Sequence, residues 1–157
     1  MKLIIITTDE LFEGEAEPLN LLFESGLETL HIRKPKASSN ATKSLIDTID
    51  AAYHPRIVLH DHYELTDCYH LQGIHLNNRN PEAPTRIINN KNPTISRSCH
   101  TITELEDSIG SFHYVFLSPV FDSISKFGYR QRFSHDDLLQ ANSQGIINKR
   151  VIALGGI

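Results

Sequence analysis

The sequence contains no apolar run of 18 residues, which excludes a helix long and apolar enough to cross a bilayer. It has no CxxC pair; its two cysteines, Cys68 and Cys99, stand far apart. The apolar stretch at the N-terminus is too short for an export signal and has no small-residue cleavage site. Reduced thiols and a cytoplasmic location are therefore expected. Basic charge is not in excess: the formal net charge is −4, so no global field draws nucleic acid. No Asn-Gly or Asp-Gly dipeptide joins neighbouring apolar runs, so the commonest tight-hairpin signal is missing and adjacent antiparallel strands are disfavoured.

What is present is alternation. Short apolar, β-branched runs at 3–6, 29–32, 56–59, 73–76, 94–98, 114–117 and 151–154 read as strands. Between them lie helical patterns. One opens at Pro18, with Leu19, Leu22 and Phe23 on one face and Gly26 at its end. A second is capped by Ser39 or Asn40, carries Leu45, Ile46, Ile49 and Tyr53 on its stripe, and is stopped by Pro55. A short helix bearing Leu65, Cys68 and Tyr69 follows the third strand, and a weak one spans 85–90. Thr101 and Glu104 fit a capping box ahead of Ile102, Leu105 and Ile109, and Ser134 opens a last helix with Leu138 and Leu139 inward. The 157 residues are read as one domain.

Seven strands alternating with helices imply a parallel sheet with right-handed crossovers. The expected fold is an α/β (β/α)₈ TIM barrel of which the chain holds about seven units, the eighth strand lying beyond it. An open doubly wound sheet is the alternative. Both place ligands at the C-terminal ends of the strands, and polar residues gather there.

Arg33 and Lys34 follow the second strand; Arg holds a phosphate bidentately, although a solvated loop charge has the same sequence. His60, Asp61 and His62 follow the third. Asp61 suits Mg²⁺ or a helix cap. A zinc site on His60-x-His62 is disfavoured because no cysteine or third histidine has close sequence spacing with it. His75, inside the fourth strand, reads as a core histidine. Ser98 and His100 precede the Thr101 cap, where an imidazole can exchange protons beside a bound anion. The loop 118–133 is long and offers Ser123, Ser125 and Lys126 to a phosphate. Gly155-Gly156 after the seventh strand permits close backbone approach to an anion, or a plain turn.

Six segments in order, Leu-His-Ile-Arg-Lys at 30–34, Leu-His-Asp at 59–61, Gly-Ile-His-Leu at 73–76, Ser-Arg-Ser-Cys-His-Thr at 96–101, Tyr-Val-Phe-Leu-Ser-Pro-Val-Phe at 114–121 with Ser-Lys at 125–126, and Ile-Ala-Leu-Gly-Gly-Ile at 152–157, resemble the thiamine phosphate synthase/TenI superfamily. The resemblance implies a TIM barrel. It implies one of two activities: Mg²⁺-dependent coupling of an aminopyrimidine diphosphate to a thiazole phosphate, or tautomerisation of a thiazole phosphate by proton transfer. In the synthase pattern the residue at His31 is Gln, that at Pro35 is Lys and that at His60 is Asn. Of the two metal-binding Asp residues, one is kept as Asp61 and the other falls on Asn80. Ser98, hydroxyls at Ser123 and Ser125, Lys126 and the Gly155-Gly156 pair are kept. The loss of one carboxylate weakens a Mg²⁺ site. His-Ile-Arg and Arg-Ser-Cys-His-Thr are closer to the TenI-like branch. The implied enzyme is a TenI-like thiazole tautomerase with His100 as acid/base and no required metal. Its substrate would be held by His31, Arg33, Lys34, His60, Ser98, Ser123, Ser125, Lys126, Gly155 and Gly156. The alternatives are a synthase with Mg²⁺ at Asp61 and Asn80, and a non-catalytic phosphate-ligand-binding homologue. A homo-oligomer that covers an unclosed sheet edge is also expected.

Overall fold

The computed structural model describes residues 3–88, 93–123 and 128–156, in two compact units, Met1–Thr94 and Ile95–Ile157. In the first unit the β-branched run Ile4–Ile6 forms β1, followed by α1 (Ala16–Glu24), β2 (Thr29–Ile32), α2 (Ser39–Thr48), β3 (Ile57–Leu59), β4 (Gly73–Leu76) and α3 (Thr85–Ile88). The strands lie side by side in chain order and all pair in parallel: Ile5 with Leu30, Ile32 with Leu59, Leu59 with Ile74. Leu30, Ile32, Ile57, Leu59, Ile74, Phe23 and Ile46 are fully buried, as expected of strands covered on both faces.

In the second unit β5 (Thr94–Cys99), α4 (Ile102–Ser108), β6 (Tyr114–Leu117), α5 (His135–Ser143) and β7 (Val151–Ala153) repeat the pattern. Ser98 pairs with Phe116, and Phe116 with Ile152, again in parallel. Cys99, Leu105, Val115, Leu117, Val120 and Phe133 make its core. Neither unit contains the reversal of strand order that a doubly wound sheet requires at its switch point. The architecture is α/β, with seven parallel strands in chain order. No helix among the described residues is long and apolar enough to cross a membrane.

Local departures from the expected elements have identifiable causes. Helix α2 is capped by Ser38, whose hydroxyl accepts from Ala41 N–H, and it stops at Thr48 rather than at Pro55. Asp50 then caps a separate 3₁₀ turn, Ala51–Arg56, with Pro55 inside it. Ile49 and Tyr53 still pack inward, Tyr53 stacking on Phe23 at 4.8 Å between ring centres. The segment after β3 is a 3₁₀ turn, Tyr63–Asp67, that leaves Cys68 exposed. Ile109 lies beyond the end of α4 and is exposed, and Leu139 is exposed as well. Adjacent helical positions point about 100° apart, so Leu138 and Leu139 cannot both face the core. In the weak helix, residues 89 and 90 lie outside the described residues.

One buried ion pair ties the first unit together. Lys34 Nζ is fully buried and donates to Glu15 Oε1 at 2.6 Å and to the carbonyls of Thr8 and Glu10 at 2.9 Å. These three bonds account for all three ammonium hydrogens. They clasp the β1–α1 connection onto the end of β2. Lys34→Met strands the Glu15 carboxylate in the interior, and a loss of about 3–5 kcal/mol is expected in urea unfolding. Adding Glu15→Leu to Lys34→Met is expected to restore most of that loss, because the desolvated charge disappears with its partner.

Candidate active site

The polar residues at the strand ends fall into two clusters, one in each unit. In the first, register decides what meets. His31 pairs with Val58, which pairs with Gly73. Two residues further along each of β3 and β4 come His60 and His75, so the three imidazoles share one face of the sheet. All three are buried. His31 Nδ1 lies 2.8 Å from His60 Nε2, and the His60 ring stacks on His75 at 4.2 Å. His62 is turned away, its Nε2 donating to the Ala37 carbonyl at 2.8 Å. The sequence reading found His75 as a core histidine but did not foresee this trio, because its members are 29 and 15 residues apart and meet only through strand pairing.

Asp61 sits beside the trio and is largely buried. Arg79 donates to both of its oxygens, at 3.0 and 3.2 Å from Nη2, with Nε at 3.2 Å from Oδ1. Asn80 Nδ2 donates to the same Oδ1 at 3.1 Å and to the His60 carbonyl at 3.1 Å. Both partners of that amide are acceptors, so its nitrogen must face them and its carbonyl cannot. Asp61 therefore does not cap the following 3₁₀ turn; its charge is taken by Arg79, a residue the sequence reading left out. Asn77 Nδ2 donates to the His60 carbonyl at 2.8 Å, and the Tyr63 hydroxyl to the His75 carbonyl at 2.6 Å. Burial, helped by the Asp61 charge, raises the Tyr63 phenol above its ordinary range, so it stays a donor. Arg33 pairs with Asp9, and its backbone N–H donates to Thr7 Oγ1 at 3.0 Å. Lys34 is committed to Glu15 and has no hydrogen left for a ligand.

In the second unit, Ser98 and His100 lie on the face of β5 opposite Cys99, which is buried under α4. Burial pushes the Cys99 thiol up, which favours its protonated form over the thiolate. Cys99 pairs with Leu117, so His100 comes level with Ser118. His100 Nδ1 lies 2.7 Å from the Ser118 carbonyl. A carbonyl only accepts, so Nδ1 carries the hydrogen, and in the neutral ring the Nε2 lone pair is left as the base. Thr101 caps α4 by accepting from Glu104 N–H at 3.0 Å. The Glu104 carboxylate reaches back one residue further than the capping box predicts, to the His100 N–H at 2.6 Å. Two bonds thus hold His100 in place, one through its ring and one through its backbone.

Gly155 and Gly156 both have positive φ, +99° and +67°. A Cβ on Gly155 would lie 2.8 Å from Pro119 Cβ, and one on Gly156 would lie 2.4 Å from the Asp122 carbonyl oxygen. Phe121 N–H donates to the Gly155 carbonyl at 3.0 Å. The glycines let the β6–α5 connection pack directly on the end of β7. Ser123 begins the part of that connection expected to hold phosphate, its N–H donating to the Tyr129 carbonyl at 2.9 Å; Ser125 and Lys126 lie outside the described residues.

His60 is held neutral. Burial lowers its pKa well below the ordinary value, and His75, His31, Arg33 and Arg79 lower it further. In the unfolded chain a histidine takes up a proton below about pH 6.5, so the unfolded state binds more protons in that range. The His60 contribution is complete above that pH and is lost as the pH falls toward the folded-state value. The urea midpoint in chelator-containing buffer is expected to drop between about pH 7.5 and 5.5, with a His60 part of at most about 1.4 kcal/mol per pH unit. His60→Asn is expected to flatten the profile by that part; an identical slope in the variant would show that His60 does not carry it.

A family model described as thiamine monophosphate synthase matches residues 3–157. No curated protein sequence matches the chain. Among solved structures, thiamine phosphate pyrophosphorylase from Bacteroides thetaiotaomicron superposes with a TM-score of 0.85 at 38% identity, over 100% of this chain and 73% of that one. Thiamine phosphate pyrophosphorylase from Pyrococcus furiosus superposes with a TM-score of 0.75 over 99% of this chain and 75% of that one; at 18% identity it shows the fold alone. The family match across residues 3–157, together with a 38% identical structure that covers the whole chain, shows that the chain belongs to the thiamine monophosphate synthase family.

Proposed function

We propose that the chain is a thiamine-biosynthesis enzyme of the TenI-like branch, isomerising a thiazole phosphate by proton transfer. The observation that carries the reading is the Nδ1 contact of His100 with the Ser118 carbonyl, which leaves Nε2 as the basic nitrogen. The Glu104 bond to the His100 N–H fixes the backbone behind the ring. A positioned imidazole of defined tautomer can take a proton from one substrate atom and return it to another. In this reading Ser98, Ser123, Ser125, Lys126, Gly155 and Gly156 bind the thiazole phosphate. Lys34 is committed to Glu15, so in this reading Arg33, which follows β2 and is ion-paired with Asp9, is the cation that meets a substrate anion.

The Mg²⁺ that the synthase activity uses does not fit Asp61 and Asn80 as they stand. The carboxylate already accepts from Arg79 and from Asn80, and Asn80 offers N–H where a cation needs oxygen. The second reading, a synthase joining an aminopyrimidine diphosphate to the thiazole phosphate, is favoured by the 38% identity to a thiamine phosphate pyrophosphorylase. It requires Arg79 to release Asp61.

Assay of both reactions with purified protein separates them. Tautomerisation is expected to proceed in the presence of a magnesium chelator, and His100→Ala to slow it by about 10²–10⁴-fold. Unchanged turnover in that variant removes His100 from the mechanism. Formation of thiamine phosphate from the two substrates, strictly dependent on Mg²⁺, would overturn the isomerase reading in favour of the synthase.

A further inference from the structure

We propose that His31, His60 and His75 form a binding site for one transition-metal ion of the zinc class, separate from the Asp61–Asn80 pair.

Three imidazoles, from β2, the end of β3 and β4, each offer a ring nitrogen, and these nitrogens all lie within 4.8 Å of one another. Zn–N bonds of about 2.0–2.1 Å in a tetrahedron need nitrogens about 3.3 Å apart. The 2.8 Å between His31 Nδ1 and His60 Nε2 and the 4.8 Å limit bracket that value, so small ring rotations suffice. All-imidazole ligation with no thiolate suits Zn²⁺, Co²⁺, Ni²⁺ or Cu²⁺ and not Mg²⁺, which takes oxygen. Three protein ligands leave a fourth position for water or an anion.

The strand ends that carry two of the ligands are pinned. The His60 carbonyl accepts from both Asn77 and Asn80, and the His75 carbonyl accepts from Tyr63. The backbone is thus fixed before any ion arrives, which is how a binding site avoids an ordering penalty. The His31–His60 contact is a single hydrogen shared between the two rings. Moving that hydrogen to the donor ring's other nitrogen frees the donor's facing lone pair, the acceptor ring presenting its own already, with no net proton release. A zinc site on His60 and His62 is ruled out by the geometry, since His62 turns to Ala37; the partners of His60 are instead the two histidines beside it in the sheet.

The test uses the full chain stripped with a chelator. Calorimetric titration with Zn²⁺ is expected to show one site, Co²⁺ to give the visible absorption of a tetrahedral nitrogen site, and Zn²⁺ but not Mg²⁺ to raise the melting temperature. His31→Gln and His75→Gln are each expected to weaken Zn²⁺ binding by more than about 100-fold, beyond what loss of a supporting partner does. His62→Gln is expected to leave affinity unchanged. No binding at one equivalent, or affinity that survives both trio variants, overturns the proposal, as does loss of binding in His62→Gln. Should a trio variant fail to fold, ring ¹⁵N shifts of the unaltered protein decide. Zn²⁺-induced shifts confined to His31, His60 and His75 support the site, and shifts only in other histidines overturn it.

Discussion

The ladder that pairs Ile32 with Leu59 and Leu59 with Ile74 decides which side chains of the first unit share a face. A slip of one residue in any of these strands would send its histidine to the opposite face, and the trio would not form. The same holds in the second unit, where Cys99 opposite Leu117 brings His100 level with Ser118 and puts the Cys99 thiol under α4. Parallel pairing in chain order also sets all C-terminal strand ends on one edge of each unit, and Arg33, His60 and Asp61 in the first unit and His100 in the second follow such ends.

Within that frame, charge is neutralised in different ways at positions that look alike in sequence. Arg33 and Lys34 are neighbours, yet alternation sends them to different surroundings. Lys34 enters the interior and is spent on Glu15 and two carbonyls, while Arg33 is only partly buried beside Asp9. Asp61 is answered by Arg79 from the connection after β4. Burial and the two arginines make a charged His60 unfavourable, which leaves a neutral, hydrogen-bonded imidazole group at the centre.

Membership of the thiamine monophosphate synthase family implies small-molecule substrates. The departures from the synthase pattern are not scattered. Histidines at 31 and 60 and asparagine at 80 all fall in the first unit, where His31 and Asn80 each contact His60. The second unit keeps its serines and glycines and adds a histidine whose tautomer is set by a backbone carbonyl. This distribution is why the isomerase reading is built on β5 and β6 and the metal inference on β2 to β4.

The sequence by itself determined the order of the elements, the parallel architecture and the strand-end positions, because apolar periodicity, capping and turn chemistry act within a few residues, and its six ordered segments carried the resemblance to the family. It also marked Ser134 and Thr101 as helix starts. Other features were decided only by the tertiary structure: the meeting of three histidines, the Arg79 clamp on Asp61, the burial of Lys34, the reach of Glu104 to His100, and the packing of Gly155-Gly156 against residues 119–122. Except for the short link from Glu104 to His100, each joins groups distant in the chain. Strand register and side-chain direction in the folded sheet bring them together, and no local pattern encodes either.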